Sequence, residues 1–203
     1  MSSGAIESRR MGERITPDQI LDVAQGLMMT KGWNGFSYAD IAVALGIRKP
    51  SIHHHFKDKA TLGLCLLVRY REAFLEALAR IERHHEDPRY RLERYIDIYL
   101  EVVRQERMCM CGMFAADFDS LPPSLRSHVQ EFFADNEKWL TGVLTDGKRK
   151  RRLRFTGQPA VAARLFLASL EGAVLVARSN PDKSWFPITA RTLLTALGAP
   201  PAR

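Results

Sequence analysis

Alternating apolar and polar residues, the mark of a half-buried strand, are scarce along these 203 residues, and neither an internal repeat nor a low-complexity segment stands out. Sandwiches, barrels and repeat arrays are thereby excluded as expectations. Cysteine is also scarce. Cys65, Cys109 and Cys111 make an odd set without a regular framework, which fits a reducing compartment and excludes a disulfide-stapled secreted domain. The opening MSSGAIESRRMGER lacks the apolar centre of a signal peptide, and no apolar run approaches the roughly 20 residues that cross a bilayer. A cytoplasmic chain with no membrane association is expected. Acidic charge is in deficit, 23 Asp+Glu against 30 Lys+Arg, for a net charge of +7 that favours an acidic partner such as nucleic acid. Residues 1–59 hold little of that excess, and much of it sits in KRKRRLR, 148–154. A nucleic-acid surface near the N-terminus must therefore come from where charges are placed, not from how many there are.

What the chain does have is helical punctuation. Thr16-Pro17-Asp18-Gln19 reads as an N-cap, a proline at the first helical position and a capping-box partner. Ile20, Leu21, Ala24, Leu27 and Met28 follow at helical spacing, and Gly32 supplies a stop. Ser37 opens a short second helix that ends at Gly46, and Lys49-Pro50-Ser51 opens a third, anchored by Ile52 and Phe56. Asp58 caps a long fourth helix to about Arg83, and Pro88 opens a fifth to about Glu106. A short sixth helix over 108–119 precedes Leu121-Pro122-Pro123, and a seventh runs to about Leu144. TDGKRKRRLRFTGQ reads as a polar connector, with helices eight and nine expected over 159–179 and 188–197. The fold class is all-α, with about nine helices.

Residues 37–56 carry the functional signal. Two short helices are joined by Gly46-Ile47-Arg48, and Ala42, Leu45, Ile47, Ile52 and Phe56 fit their buried faces. This is helix-turn-helix spacing, in which the second helix enters the DNA major groove because an α-helix fits that groove. The residues near its N-terminus that would reach base edges are Lys49, Pro50, Ser51, His53 and His54.

The segment GFSYADIAVALGIRKPSIHHHFKDKATL resembles the DNA-binding domain of TetR-family transcriptional regulators. The match rests on Ser37, Ile41, Ala42, Gly46, Ile47, Ser51, Ile52, His55, Phe56, Lys59 and Leu62, within residues 16–65. The resemblance implies an N-terminal arm over 1–15, a DNA-binding domain over 16–60, and a helical effector-binding and dimerisation domain over 61–203. It implies phosphate contacts at Ser37, His55 and Lys59, and base or sugar-phosphate contacts at Lys49, Pro50, Ser51 and His54. His53 stands where the family usually has tyrosine, a phosphate contact; histidine as a residue type titrates near neutral pH, so pH-dependent DNA affinity is an expectation. The resemblance further implies a homodimer on a palindromic operator, released by a small-molecule effector, with no catalysis and no cofactor.

Successive helical residues point about 100° apart, so His53, His54 and His55 cannot converge on one ion, and no metal site is expected. Cys109 and Cys111, two apart in MCMCGMF, point to different sides of a helix, which disfavours a local disulfide. One of them is a candidate electrophile sensor if Arg104 and Arg107 favour a thiolate; the alternative is two buried small residues. For the effector pocket the candidates are Tyr95, Tyr99, Val103, Cys109, Cys111, Phe114, Phe118, Phe133 and Phe166, with the two tyrosine hydroxyls as the polar element. Core filling is the competing reading for each. Ser169, Gly172, Ala173 and Val176 are the candidate dimer interface. Two rivals to a ligand-released repressor are a DNA-binding protein without effector and a small thiol- or metal-dependent helical enzyme.

Overall fold

The computed structural model describes residues 15–198, so the expected arm lies outside the described residues except for Ile15. All regular elements among the described residues are helical: α1 (Pro17–Lys31), α2 (Tyr38–Leu45), α3 (Lys49–His55), α4 (Lys59–His84), α5 (Pro88–Arg104), α6 (Met110–Ala116), α7 (Pro123–Arg149), α8 (Pro159–Ser179) and α9 (Trp185–Ala196), with one 3-10 turn (Phe118–Ser120). The all-α expectation and its element order hold.

The punctuation works as chemistry. Thr16 Oγ1 accepts from the Gln19 N–H at 3.3 Å, and Gln19 Oε1 accepts from the Thr16 N–H at 3.0 Å, closing the capping box on α1. Asp58 caps α4 by accepting from the Thr61 N–H at 2.8 Å, which holds the Asp58 carboxyl below its ordinary pKa. Each such cap stabilises its helix by about 1 kcal/mol.

Four boundaries differ from expectation. Helix α7 runs on to Arg149, so the first residues of the expected connector are helical. Asp146 explains this by pairing with Arg149 at 2.5 Å and Lys150 at 2.9 Å, while Leu153 folds back, buried, against Gly147. Helix α6 is shorter than 108–119 because its end is handed to the 3-10 turn. Helix α9 starts three residues early, after an Asp182 turn that accepts from the Ser184 N–H at 2.8 Å. The domain boundary drawn at residue 60 falls inside α4, whose first turns pack on the N-terminal unit through Leu62 and Gly63.

Helices α1–α3 enclose a small core of Ile20, Ala24, Met28, Ile41, Leu45, Ile52 and Phe56. The larger core lies among α4, α5, α7 and α8, where Phe74, Leu92, Phe132, Leu140 and Phe166 are buried. Helix α9 covers one side of α8. Helix α8 is long and apolar enough to cross a membrane by length and composition, contrary to the sequence reading, yet only a third of that window is buried within the chain. Its inner face packs on α7, and its outer face presents Val161, Leu165, Leu175 and Val176 to solvent.

Candidate nucleic-acid interface and effector groove

Gly46 ends α2 in the left-handed region, φ 65° and ψ 34°, where a β-carbon is costly. The Ile47 N–H then donates to the Ala42 carbonyl at 3.0 Å, and the chain turns into α3. Ile52 and Phe56 anchor α3 inward, and Tyr38 at the start of α2 donates its hydroxyl to the Phe56 carbonyl at 3.0 Å. Burial, reinforced by the charge of Asp58, pushes the Tyr38 phenol up to about 12, so it remains a donor. The two helices are thus fastened at both ends, by the glycine turn and by this hydrogen bond.

With that inner face fixed, Lys49, Pro50, Ser51, His53 and His54 are exposed on the outer face of α3, and His55 is half-buried. The His53 ring lies edge-on to Tyr38 at 4.8 Å, with Nδ1 3.1 Å from the Lys57 carbonyl oxygen. His54 and His55 rings lie 5.3 Å apart. Ser37 caps α2: its Oγ accepts from the Ala39 N–H at 3.2 Å and donates to Asp40 Oδ2 at 2.8 Å. Hydrogen bonds from the Ser37 hydroxyl and N–H hold the Asp40 carboxyl at about 2.

Lys59, expected to meet phosphate, has its ammonium turned inward. Its ammonium is half-buried, donates to the carbonyls of Trp33 and Phe36, and lies 4.6 Å and 4.2 Å from the centres of their rings. An ammonium has three donors, and two are committed inside the domain. Burial lowers its pKa, opposed by the charges of Asp117 and Asp40. The side chain staples the start of α4 to the loop before α2.

The effector candidates scatter. Tyr95 and Tyr99 are fully buried, and Phe114 and Phe166 fill core next to Trp33 and Tyr95. Val103 borders a charged cleft of about 300 Å³ with Glu106, Arg107 and Arg178. Phe118 lies under the Arg126 guanidinium. Phe133 alone of the nine lines an apolar groove of about 760 Å³ between α6, α7 and α8, walled also by Met108, Met113, Leu167 and Leu175. The tyrosines reach this groove indirectly. The Tyr95 hydroxyl donates to Asn136 Oδ1 at 2.7 Å and lies 3.2 Å from the Tyr99 hydroxyl, which donates to Glu171 Oε1 at 3.1 Å.

Glu171, which lines the groove, is the residue the sequence reading missed. A signal was there: LASLEGAVLV holds one acid, and the next charge-bearing side chains, Arg164 and Arg178, stand seven residues away on either side. Gly112 makes room for it, since a β-carbon there would lie 2.6 Å from Glu171 Oε2. Burial raises the Glu171 pKa, and hydrogen bonds from Cys109 and Tyr99 oppose the rise. Cys109 and Cys111 are buried, and burial plus the charge of Glu171 push both thiols up. A carboxylate, not Arg104 or Arg107, is the charged neighbour of these thiols; Arg104 faces Glu101 at 4.0 Å, and the Arg107 guanidinium lies against Gly26. That environment protects thiols and argues against the electrophile-sensor expectation.

Helix α6 joins the two halves. Met108, in the groove wall, donates its N–H to the Met29 carbonyl of α1 at 2.9 Å. Asp117, at the other end of α6, accepts from the Trp33 N–H at 2.8 Å and from Asn34 at 3.0 Å. Arg178 of α8 donates to the Thr30 carbonyl.

The expected dimer residues divide. Ala173 is buried against the chain's own core, whereas Gly172 and Val176 are exposed and Ser169 is half-buried. The exposed large apolar residues of α8 are Val161, Leu165, Leu175 and the expected Val176, and Ile188 of α9 is exposed as well.

Comparison with known proteins agrees with this layout. Residues 20–64 match the model for bacterial regulatory proteins of the tetR family, and residues 88–192 match that for the tetracyclin repressor-like C-terminal domain. A TetR-family transcriptional regulator from Agrobacterium tumefaciens is 35% identical, with a TM-score of 0.85 over 89% of this chain and 96% of its own. The HTH-type transcriptional repressor NemR of Escherichia coli O6:H1 is 23% identical over 172 residues, 82% of this chain and 85% of NemR. The HTH-type transcriptional repressor DhaR of Mycobacterium sp. strain GP1 is 25% identical over 153 residues, 73% of this chain and 75% of DhaR. The chain belongs to the TetR family of bacterial regulatory proteins and is a DNA-binding transcriptional regulator.

Proposed function

We propose that the chain is a homodimeric repressor which leaves a palindromic operator when a small molecule occupies the groove between α6, α7 and α8. The observation that carries this is the shared use of α6: Met108 walls the groove and holds α1, while Asp117 holds the loop before α2. An occupant that shifts α6 must move the element that sets the reading helix. Release requires only that the occupant bind the shifted arrangement more tightly than the DNA-bound one.

In this reading α3 of each protomer lies in the major groove, with Lys49, Pro50, Ser51 and His54 facing bases or the sugar-phosphate edge. His53, His55 and the α2 start at Ser37 face phosphates. Lys59 acts through the loop it staples. The exposed stripe of α8 and α9 joins two protomers, setting two α3 helices about one DNA turn, ~34–36 Å, apart. Repression accords with the relatives NemR and DhaR, both repressors by name. The site of action is the cytoplasm, and no catalytic step is assigned.

Mapping of bound sites across the genome with the full chain tests this. A two-fold symmetric motif with half-sites one helical turn apart is the expected result, and His54→Ala should change the preferred bases within each half. A motif without symmetry would overturn the dimeric reading, and a motif unmoved by His54→Ala would remove that residue as a reader.

A further inference from the structure

The groove is apolar over most of its wall, with Met108, Met113, Phe133, Leu167 and Leu175 contributing. Its inner end holds the half-buried carboxylate of Glu171, which accepts from two side-chain donors. Tyr99 donates to Oε1 at 3.1 Å, and the Cys109 thiol adds a second hydrogen bond. Behind Tyr99 stand Tyr95 and Asn136, which orient the phenol. These groups solvate a carboxylate and oppose the rise in its pKa that desolvation causes. No cation contributes to its environment. Arg164, which lines the groove, is taken by Glu137 at 2.7 Å on the rim. Burying a carboxylate away from water without a charge partner is costly, and an occupant that supplied positive charge would offset that cost.

Resting on the groove as the effector site, we infer that the effector is a lipophilic organic cation, an amine whose ammonium meets Glu171 Oε2 while its apolar body lies along the methionines, Phe133 and Leu167. Oε2 is the oxygen that Tyr99 does not engage, and it lies against Gly112, the position where a β-carbon would fill the approach. The volume of about 760 Å³ suits a drug-sized molecule, within the ~300–1,000 Å³ typical of ligand sites. The flexible thioethers accommodate varied apolar shapes, so charge, not outline, sets the class.

Calorimetric titration of the full chain with 4-phenylbutylamine, 4-phenylbutan-1-ol and 4-phenylbutyrate tests this, since the three share one shape and differ in charge at pH 7. The amine should bind about tenfold or more tightly than the alcohol, as a charge-assisted hydrogen bond replaces a neutral one, and the carboxylate more weakly than either. Glu171→Gln still accepts from Tyr99 and should bring amine and alcohol within about twofold of each other. An amine no tighter than the alcohol, a preference that survives Glu171→Gln, or heat from none of the three overturns the assignment. Ala134→Trp, an exposed groove-wall position on α7, separates the two levels. If it leaves the affinities unchanged, the groove itself fails as the site. If it abolishes binding while the amine shows no advantage, the groove stands and the cation alone fails.

Discussion

The two halves of this molecule place polar side chains in opposite ways. In residues 37–56 the polar groups point outward from a small apolar core, and the interior is held by a glycine turn and one hydrogen bond from Tyr38. In the effector half the polar groups point inward: Tyr95, Tyr99, Asn136 and Glu171 form a chain through the centre of the bundle. The outward set is free to meet a partner at little cost to folding. The inward set is coupled to stability, because each hydroxyl or carboxylate left without its partner in the interior is expensive. One half can therefore change what it reads without refolding, and the other cannot change its ligand without touching its own core.

Substitutions in each half should reveal that contrast, and the largest effect belongs to Asn136. Asn136→Ala removes a buried side chain and strands the Tyr95 hydroxyl, so thermal unfolding should report a loss of ~2–4 kcal/mol. A loss below ~1 kcal/mol would mean that the inward chain is not integral to the core. Lys59→Met should come next, at ~1–2 kcal/mol, through two lost hydrogen bonds and its ring contacts. It should weaken DNA binding while leaving the salt dependence unchanged; a flatter salt slope with an unchanged melting temperature would restore Lys59 as a phosphate ligand. Tyr38→Phe should cost ~1 kcal/mol, by orphaning the Phe56 carbonyl, with base preference intact. His54→Ala should lie within ~0.5 kcal/mol of wild type in stability, since it is exposed, and change sequence preference instead. The smallest effect concerns Asp40. Its carboxyl is held at about 2, so its contribution is present above the ordinary carboxylate range and lost as pH falls through the folded value. Melting temperatures from pH 5 down to 2 should fall less steeply in Asp40→Asn than in wild type.

The same contrast explains what could be read without coordinates. The outward site is contiguous: capping residue, glycine turn, apolar anchors and outward histidines follow one another within 20 residues, so spacing alone assembles them. The inward site draws on positions 95, 99, 136 and 171, from three different helices, and no local pattern joins them. Tyr95 and Tyr99 could be paired by their spacing of four, but not the acid that completes the set. The inward turn of Lys59 is hidden from local pattern because its partners lie 23 and 26 residues earlier. The inward face of Ala173 is hard to read because the few polar residues of α8 form no continuous stripe from which to tell inside from outside. Boundaries moved where tertiary partners extended or cut a helix, as Asp146 and Leu153 did for α7.

The outer stripe of α8 has a consequence for dose. A lone protomer carries Val161, Leu165 and Leu175 into water, so it gains by pairing, and a palindrome needs both reading helices. When chains are dilute relative to their own association, the paired species grows with the square of their number. Halving synthesis then leaves about a quarter of the operator-competent form. In the proposed dimer, control has a threshold in copy number, and the sharpness of that threshold is set by a surface remote from the DNA-reading helix.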